Sequence, residues 1–202
     1  MGISLRERRR RQTARDIQMA AVTVVLNNGL ENTTTEAIAI EAGVSTRTFF
    51  NYYCNKHAAI LGEAVCIDVT EAGWFVESQV PVTDDLATLL GQRLQDDPLD
   101  RNVLRKIIAV IDSTPALRDM FRTRLDETSI SISTLLQARL GADFAIESRL
   151  LAELSTRAMT EAVMMWATEE AMTIDAVVAQ ISSSLSSVGK ILCAEIGVEK
   201  CT

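Results

Sequence analysis

Apolar positions recur with helical spacing along nearly the whole chain. Ile17, Ala20, Ala21, Val24, Val25 and Asn28 lie at i, i+3, i+4, i+7, i+8 and i+11, one stripe of an amphipathic helix that begins near residue 9 and closes at Gly29. Thr33, Thr34 and Thr35 then offer N-caps for a short second helix. Thr33 and Glu36 are spaced as a capping box, and Ile38, Ala39 and Ala42 are apolar before a stop at Gly43. Ser45 caps a third short helix whose inward residues are Phe49 and Tyr53, one turn apart.

From Lys56 to about Ser78 the spacing predicts a connecting helix, with Ile60, Leu61, Ala64, Val65, Val69 and Ala72 apolar, until Pro81 interrupts it. Pro98 and Pro115 bracket Val103–Ser113, where Leu104, Ile107, Ile108 and Ile111 make a core stripe. A long helix follows from Pro115 to Leu140, carrying Leu117, Phe121, Leu125, Thr128, Ile132, Leu135 and Leu136 and ended by Gly141. Two more close the chain. Phe144–Thr168 carries Leu150, Leu151, Leu154, Ala158, Ala162 and Met165, and Ile174–Ile196 carries Val177, Val178, Ile181, Leu185, Val188 and Leu192. No strand alternation or repeat interrupts this pattern, so the fold class is all-α.

Composition narrows the class. The chain has 202 residues, 48% apolar and 23% charged, which suits one or two compact domains. No apolar run approaches the roughly 20 residues of a bilayer span, and no signal-like stretch follows the N-terminal arginines, so a cytoplasmic location without a membrane partner is expected. Cys54, Cys66, Cys193 and Cys201 form no CxxC pair and His57 is the sole histidine, so neither a structural metal nor a cofactor is expected. Catalysis has little to stand on. No Walker loop, GxGxxG, HExxH or nucleophile elbow is present, and the chain reads as no enzyme, with no catalytic residue.

Charge distribution is the first pointer to function. Residues 1–60 hold eight Lys/Arg against five acids, a local +3, which leaves −10 of the overall −7 to the remainder. A basic segment on an acidic body suits a protein that meets a polyanion at one end. The second and third helices, joined by Ala42-Gly43-Val44-Ser45, have the form of a helix-turn-helix, and the third is small enough to enter a DNA major groove. Its outward residues include Thr46, Arg47, Phe50, Asn51 and Tyr52. An ordinary αα-hairpin has the same shape, so a helical ligand-binding or scaffold protein without DNA function is the alternative reading.

Thr33-Thr34-Thr35, Ile38-Ala39, Ala42-Gly43-Val44-Ser45, Thr48-Phe49-Phe50-Asn51-Tyr52-Tyr53, Lys56 and Ile60-Leu61 follow one another in a distinctive order and spacing. In these residues the segment 10–62 resembles the DNA-binding domain of the TetR (tetracycline-repressor-like) family. The resemblance implies an N-terminal three-helix helix-turn-helix domain, residues 1–55, and a C-terminal helical ligand-binding and dimerisation domain, residues 56–202. It further implies a homodimer on a pseudo-palindromic operator, in most members a repressor released by a small-molecule inducer. DNA contacts would come from Thr34 and Thr35, from Thr46, Arg47, Thr48, Phe50 and Tyr52, and from Lys56 on backbone phosphate. Arg47 is the choice for base readout, because a guanidinium pairs bidentately with guanine. Cys54 stands where members often have proline. Arg8 to Arg11, on an arm before the first helix, become phosphate candidates.

The last two helices are the expected dimer seam, with Ser182, Ser183, Ser184, Ser186 and Ser187 small enough to let helices approach. An inducer cavity is expected among residues 100–170, with Met120, Phe121, Met159, Met164, Met165 and Trp166 as wall or core. Glu153, Arg157 and Glu161 are spaced as an exposed ion-pair ladder.

Overall fold

The computed structural model describes residues 5–62, 72–96 and 100–196. Among these residues the chain forms helices and no strand. In order they are α1 (Leu5–Asn28), α2 (Thr35–Glu41), α3 (Thr46–Tyr52), α4 (Lys56–Leu61), α5 (Gly73–Glu77), α6 (Val82–Asp96), α7 (Arg101–Ser113), α8 (Pro115–Leu140), α9 (Ala145–Thr168) and α10 (Ile174–Ile196), with a 3-10 turn at Ala142–Phe144. The all-α reading holds. Two compact units result, one from residues 1–64 and 100–123, the other from residues 65–99 and 124–202.

The first unit packs α2, α4 and α7 against α1. Its α1 stripe is as the spacing requires: Ile17, Ala20, Ala21, Val24 and Val25 are buried, while Asn28 at the end is exposed. Gly29, at φ +78°, takes the left-handed backbone that ends the helix. Ile38, Phe49 and Ile60 close the core from α2, α3 and α4, and Val110, Ile111 and Leu117 from α7 and α8 belong to the same cluster. Aliphatic burial on this scale, at about 25 cal/mol per Å², is what holds such short helices, since an isolated helix under about 12 residues is marginal in water.

Three local expectations change. The capping box does not form, and a simple cap stands one residue further on. Thr34 caps α2, its Oγ1 accepting from the Ala37 amide at 3.1 Å, while the Thr33 hydroxyl turns back to donate to the Gly29 carbonyl at 2.8 Å. The connecting helix does not run on from Lys56, because Gly62 at φ +75° leaves helical geometry; Ala64, Val65 and Val69 lie outside the described residues. Arg8 to Arg11 do not precede the first helix but sit inside α1, which starts at Leu5.

In the second unit α10 packs against α6 and α9, with Val177, Ile181 and Leu185 buried. The approach to α6 is close at Gly91, where a Cβ would stand 2.7 Å from Cγ2 of Val178. Arg139, near the end of α8, pairs with Asp85 in the first turn of α6 at 2.7 Å, both side chains only 8% exposed. The same guanidinium donates to the Val80 carbonyl and lies over the Phe75 ring, 4.9 Å from its centroid.

The apolar stripe read on α9 is not the one this unit buries. Its inward side is Ser148, Ala152, Ser155, Thr156, Met159, Ala162 and Trp166, whereas Leu150 is 62% exposed and Met165 also faces out. Helical spacing identifies an apolar stripe but not the surface that covers it. A second correction concerns hydropathy. The window Ile174–Cys193 of α10 is long and apolar enough on average to cross a bilayer, although polar residues interrupt every continuous apolar run. Only 17% of that window is buried within the chain: Val177, Ile181 and Leu185 are buried, Ile174, Val178 and Val188 half-buried, and Ile191 and Leu192 exposed.

Candidate nucleic-acid interface

Seven residues make α3, and its start is fixed by Ser45, whose Oγ accepts from the Thr48 amide at 3.0 Å and shares a 2.8 Å hydrogen bond with the Thr48 hydroxyl. A cap of this kind contributes about 1 kcal/mol. Gly43, at φ +67°, lets the chain turn from α2 into that cap, and the Val44 amide donates to the Ala39 carbonyl at 2.9 Å.

The helix is anchored by its aromatic side. Phe49 is fully buried, packing edge-to-face on Phe50 at 5.3 Å between centroids and tilted against Tyr53 at 6.3 Å. Tyr53 is buried too, and its hydroxyl donates to the Ala14 carbonyl of α1 at 3.1 Å, tying the end of α3 to the first helix. With Phe49 and Tyr53 turned in, 100° per residue carries Arg47 and Asn51 to the opposite face and Phe50 to its edge. All three are exposed, Phe50 by 52%. Thr46 and Thr48 are half-buried at the flanks, and Tyr52 rests partly on the core.

Thr34 and Thr35 stand at the start of α2, Thr34 engaged as the cap and Thr35 donating to the Glu36 carboxylate at 3.2 Å. Hydrogen bonding to its own backbone amide, and then to Thr35, holds the Glu36 carboxyl below the usual carboxylate range. Lys56 is placed differently from the others. It opens α4 half-buried, and its Nζ donates to the carbonyls of Leu30 at 2.7 Å and Thr33 at 2.9 Å. Asn55 caps that helix through a 2.8 Å bond from the Ala58 amide, so Cys54 in place of proline leaves the entry to α4 firmly set.

His57 follows on α4. Partial burial, then the neighbouring Lys56 charge, pushes its pKa down, with Glu31 opposing. A base whose folded value lies below its unfolded value of about 6.5 favours folding when neutral. Its contribution is therefore present above that value and lost as pH falls through the folded one. Chemical unfolding at pH 7 and pH 5.5 should show a loss that is smaller in His57→Gln; an identical loss in both proteins would remove His57 as its source.

Consecutive helical residues point around the whole circumference, so Arg8, Arg9, Arg10 and Arg11 cannot all address one surface. Arg8, Arg9 and Arg10 are exposed, and Arg11 is half-buried. In the first unit Phe121 packs on the α1–α4 core; in the second Met159 and Trp166 are buried and Met164 and Met165 are more than a third exposed. Arg157 pairs with Glu161 at 2.7 Å on the exposed side of α9. That pair lies along an open groove between α9 and α10, floored by Leu154, Ala158, Leu185 and Val188. Sequence reasoning had placed Asn51 outward without including it among the DNA contacts; its exposure beside Arg47 and Phe50 adds it to this face.

Residues 17–61 match the family model described as bacterial regulatory proteins, tetR family. The chain is 27% identical over 153 residues to the HTH-type transcriptional regulator TcmR of Streptomyces glaucescens, an alignment covering 70% of this chain and 66% of the relative, just under two thirds of its length. Among solved structures, the fatty acid degradation regulator FadR from Bacillus halodurans is 20% identical with a TM-score of 0.49, covering 85% of this chain and 96% of that one. NalD of Pseudomonas aeruginosa, the secondary repressor of the MexAB-OprM multidrug efflux pump, is 17% identical with a TM-score of 0.48, covering 88% and 96%.

Proposed function

We propose that this chain is a TetR-family transcriptional regulator that binds DNA through its helix-turn-helix, a reading supported by the match of residues 17–61 to that family's model and by the likeness to TcmR, and that it is a cytoplasmic repressor. It acts as a homodimer on a pseudo-palindromic operator and is released by a small-molecule inducer held in the helical body. The observation that carries the DNA half of this reading is the outward face of α3: Arg47, Phe50 and Asn51 exposed together around a fully buried Phe49. Arg47 has the fork that reads guanine, Asn51 the amide that reads adenine, and Phe50 an apolar edge for a thymine methyl. Thr34, Thr35, Thr46, Thr48 and Tyr52 surround that face and supply hydroxyls for backbone phosphates.

The dimer half is supported by α9 and α10. Ile146 and Leu150 on α9 and Ile191 and Leu192 on α10 are each about 60% exposed, large apolar side chains left to water by two helices that pack together. Pairing with the same two helices of a second copy covers them. Inducer binding then favours a state whose recognition helices no longer match the half-site spacing of about 34 Å, and by linkage operator DNA weakens inducer binding equally. No residue is assigned a catalytic part.

The direct experiment takes the DNA flanking the protein's own coding region and measures binding by the purified protein. Arg47→Ala and Phe50→Ala should each weaken specific binding by about 1–3 kcal/mol, roughly 5- to 150-fold, and lower discrimination against unrelated duplex. A double variant that binds as tightly as the parent at low salt would favour a helical ligand-binding or scaffold protein instead.

A further inference from the structure

The Lys56 ammonium is not presented as an exposed cation. Its side chain is half-buried, and two of its three N–H donors are committed to carbonyls 26 and 23 residues upstream, those of Leu30 and Thr33. Both carbonyls belong to the turn between α1 and α2. That turn begins where Gly29 breaks α1 with a positive φ and ends at Thr34, the cap of α2. Its own ties are local: the Thr33 amide donates to Leu30 at 3.2 Å, the Thr33 hydroxyl to Gly29, and the Asn32 side-chain amide to Asn28 at 3.0 Å. The turn also follows the C-terminus of a 24-residue helix, where a cation is favoured by the unpaired carbonyls and the helix dipole.

We propose that Lys56 is a positioning residue for DNA recognition: it staples the α1–α2 turn to the head of α4, fixing where Thr34 and Thr35 enter the interface. The proposal rests on the DNA-binding reading and assigns Lys56 a part other than the phosphate contact that the family resemblance implies. The two parts differ in a measurable way. A lysine on a phosphate releases a counterion, and its removal makes the slope of log affinity against log salt shallower by about 0.9. A staple holding a turn changes affinity and leaves that slope alone.

The probe is a duplex selected from a random-sequence pool by the full-length parent protein. Enrichment of no duplex would defeat the DNA-binding reading itself, separately from Lys56. With a selected duplex in hand, Lys56→Met should weaken binding at least 10-fold with the salt slope of the parent. Thr34→Ala should then cost several-fold less in the Lys56→Met background than in the parent, because both act through one turn. Loss of fold alone would not produce that coupling, since binding is compared well below the unfolding temperature. Should Lys56→Met not fold, Lys56→Arg carries the test: its planar fork does not fit the two-carbonyl seat of a compact ammonium. Affinity several-fold below the parent with an unchanged slope is expected. A shallower slope in Lys56→Met, additive costs with Thr34→Ala, or parent-like affinity in either Lys56 variant would overturn the assignment.

Discussion

Arg139→Ala is expected to destabilise the second unit by about 3–5 kcal/mol, the usual cost of leaving one member of a buried ion pair without its partner. The Asp85 and Arg139 side chains are each 8% exposed and 2.7 Å apart, so removing the guanidinium strands a carboxylate that water barely reaches. It also frees the Val80 carbonyl before α6 and uncovers the Phe75 ring. The pair itself need not be a large net gain, because desolvating two charges offsets much of their attraction. Asp85→Leu combined with Arg139→Met should therefore recover most of the loss. Both tryptophans, Trp74 and Trp166, lie in this unit, so urea unfolding followed by tryptophan fluorescence reads it selectively. A single variant within 1 kcal/mol of the parent, or a double variant no better than the single one, would contradict this account of the pair.

Phe49→Ala should have an effect of similar size on the first unit, about 3–5 kcal/mol for an aromatic side chain removed from a closed core. Phe49 is fully buried among residues of α1, α2 and α4, and its ring is the surface on which both Phe50 and Tyr53 are oriented. The loss would reach the interface, since α3 has only seven residues, and its Ser45 cap and the Tyr53 bond to Ala14 hold its two ends but not its packing on the core. Tyr52 and Tyr53, the two tyrosines of the chain, flank the site, so near-ultraviolet tyrosine dichroism follows this unit while the tryptophan signal follows the other. The expected record is early melting at the tyrosines with the tryptophan transition in place. Simultaneous loss of both signals at the parent midpoint would show that Phe49 does not anchor this helix.

Much of the first unit was legible in the chain because short-range rules govern it. Gly29 and Gly43 mark stops that need positive φ, Ser45 caps α3 as its position suggests, and Phe49 and Tyr53 point inward as their spacing demands. The cap of the second helix stays open among Thr33, Thr34 and Thr35 in the chain, since three adjacent threonines compete for it and only the geometry of the preceding turn selects Thr34 over the Thr33–Glu36 box. The packing of α7 on α1 was not legible. Periodicity shows that Ile107 and Ile111 share a face but carries no information about a partner 90 residues away. For the same reason α9 was turned to the wrong side: its leucines are half-buried or exposed, while Met159 and Trp166 pack inward among serines and alanines. The place of Lys56 was hidden because a hydrogen bond to distant backbone carbonyls leaves no trace in residue type. Its charge pointed to phosphate; its geometry points to the Leu30–Thr33 turn.

The contact between Gly91 and Val178 has a reach beyond the two residues involved. With no carbon beyond Cα at position 91, α6 presents bare backbone to α10, and Val178 lies against it. A methyl group grown there would act as a wedge under α10, and a rigid rod wedged near its beginning swings most at its far end. Ile191 and Leu192 sit at that far end. In the proposed homodimer, the angle at which two copies clasp would therefore depend partly on the absence of one side-chain carbon atom at position 91.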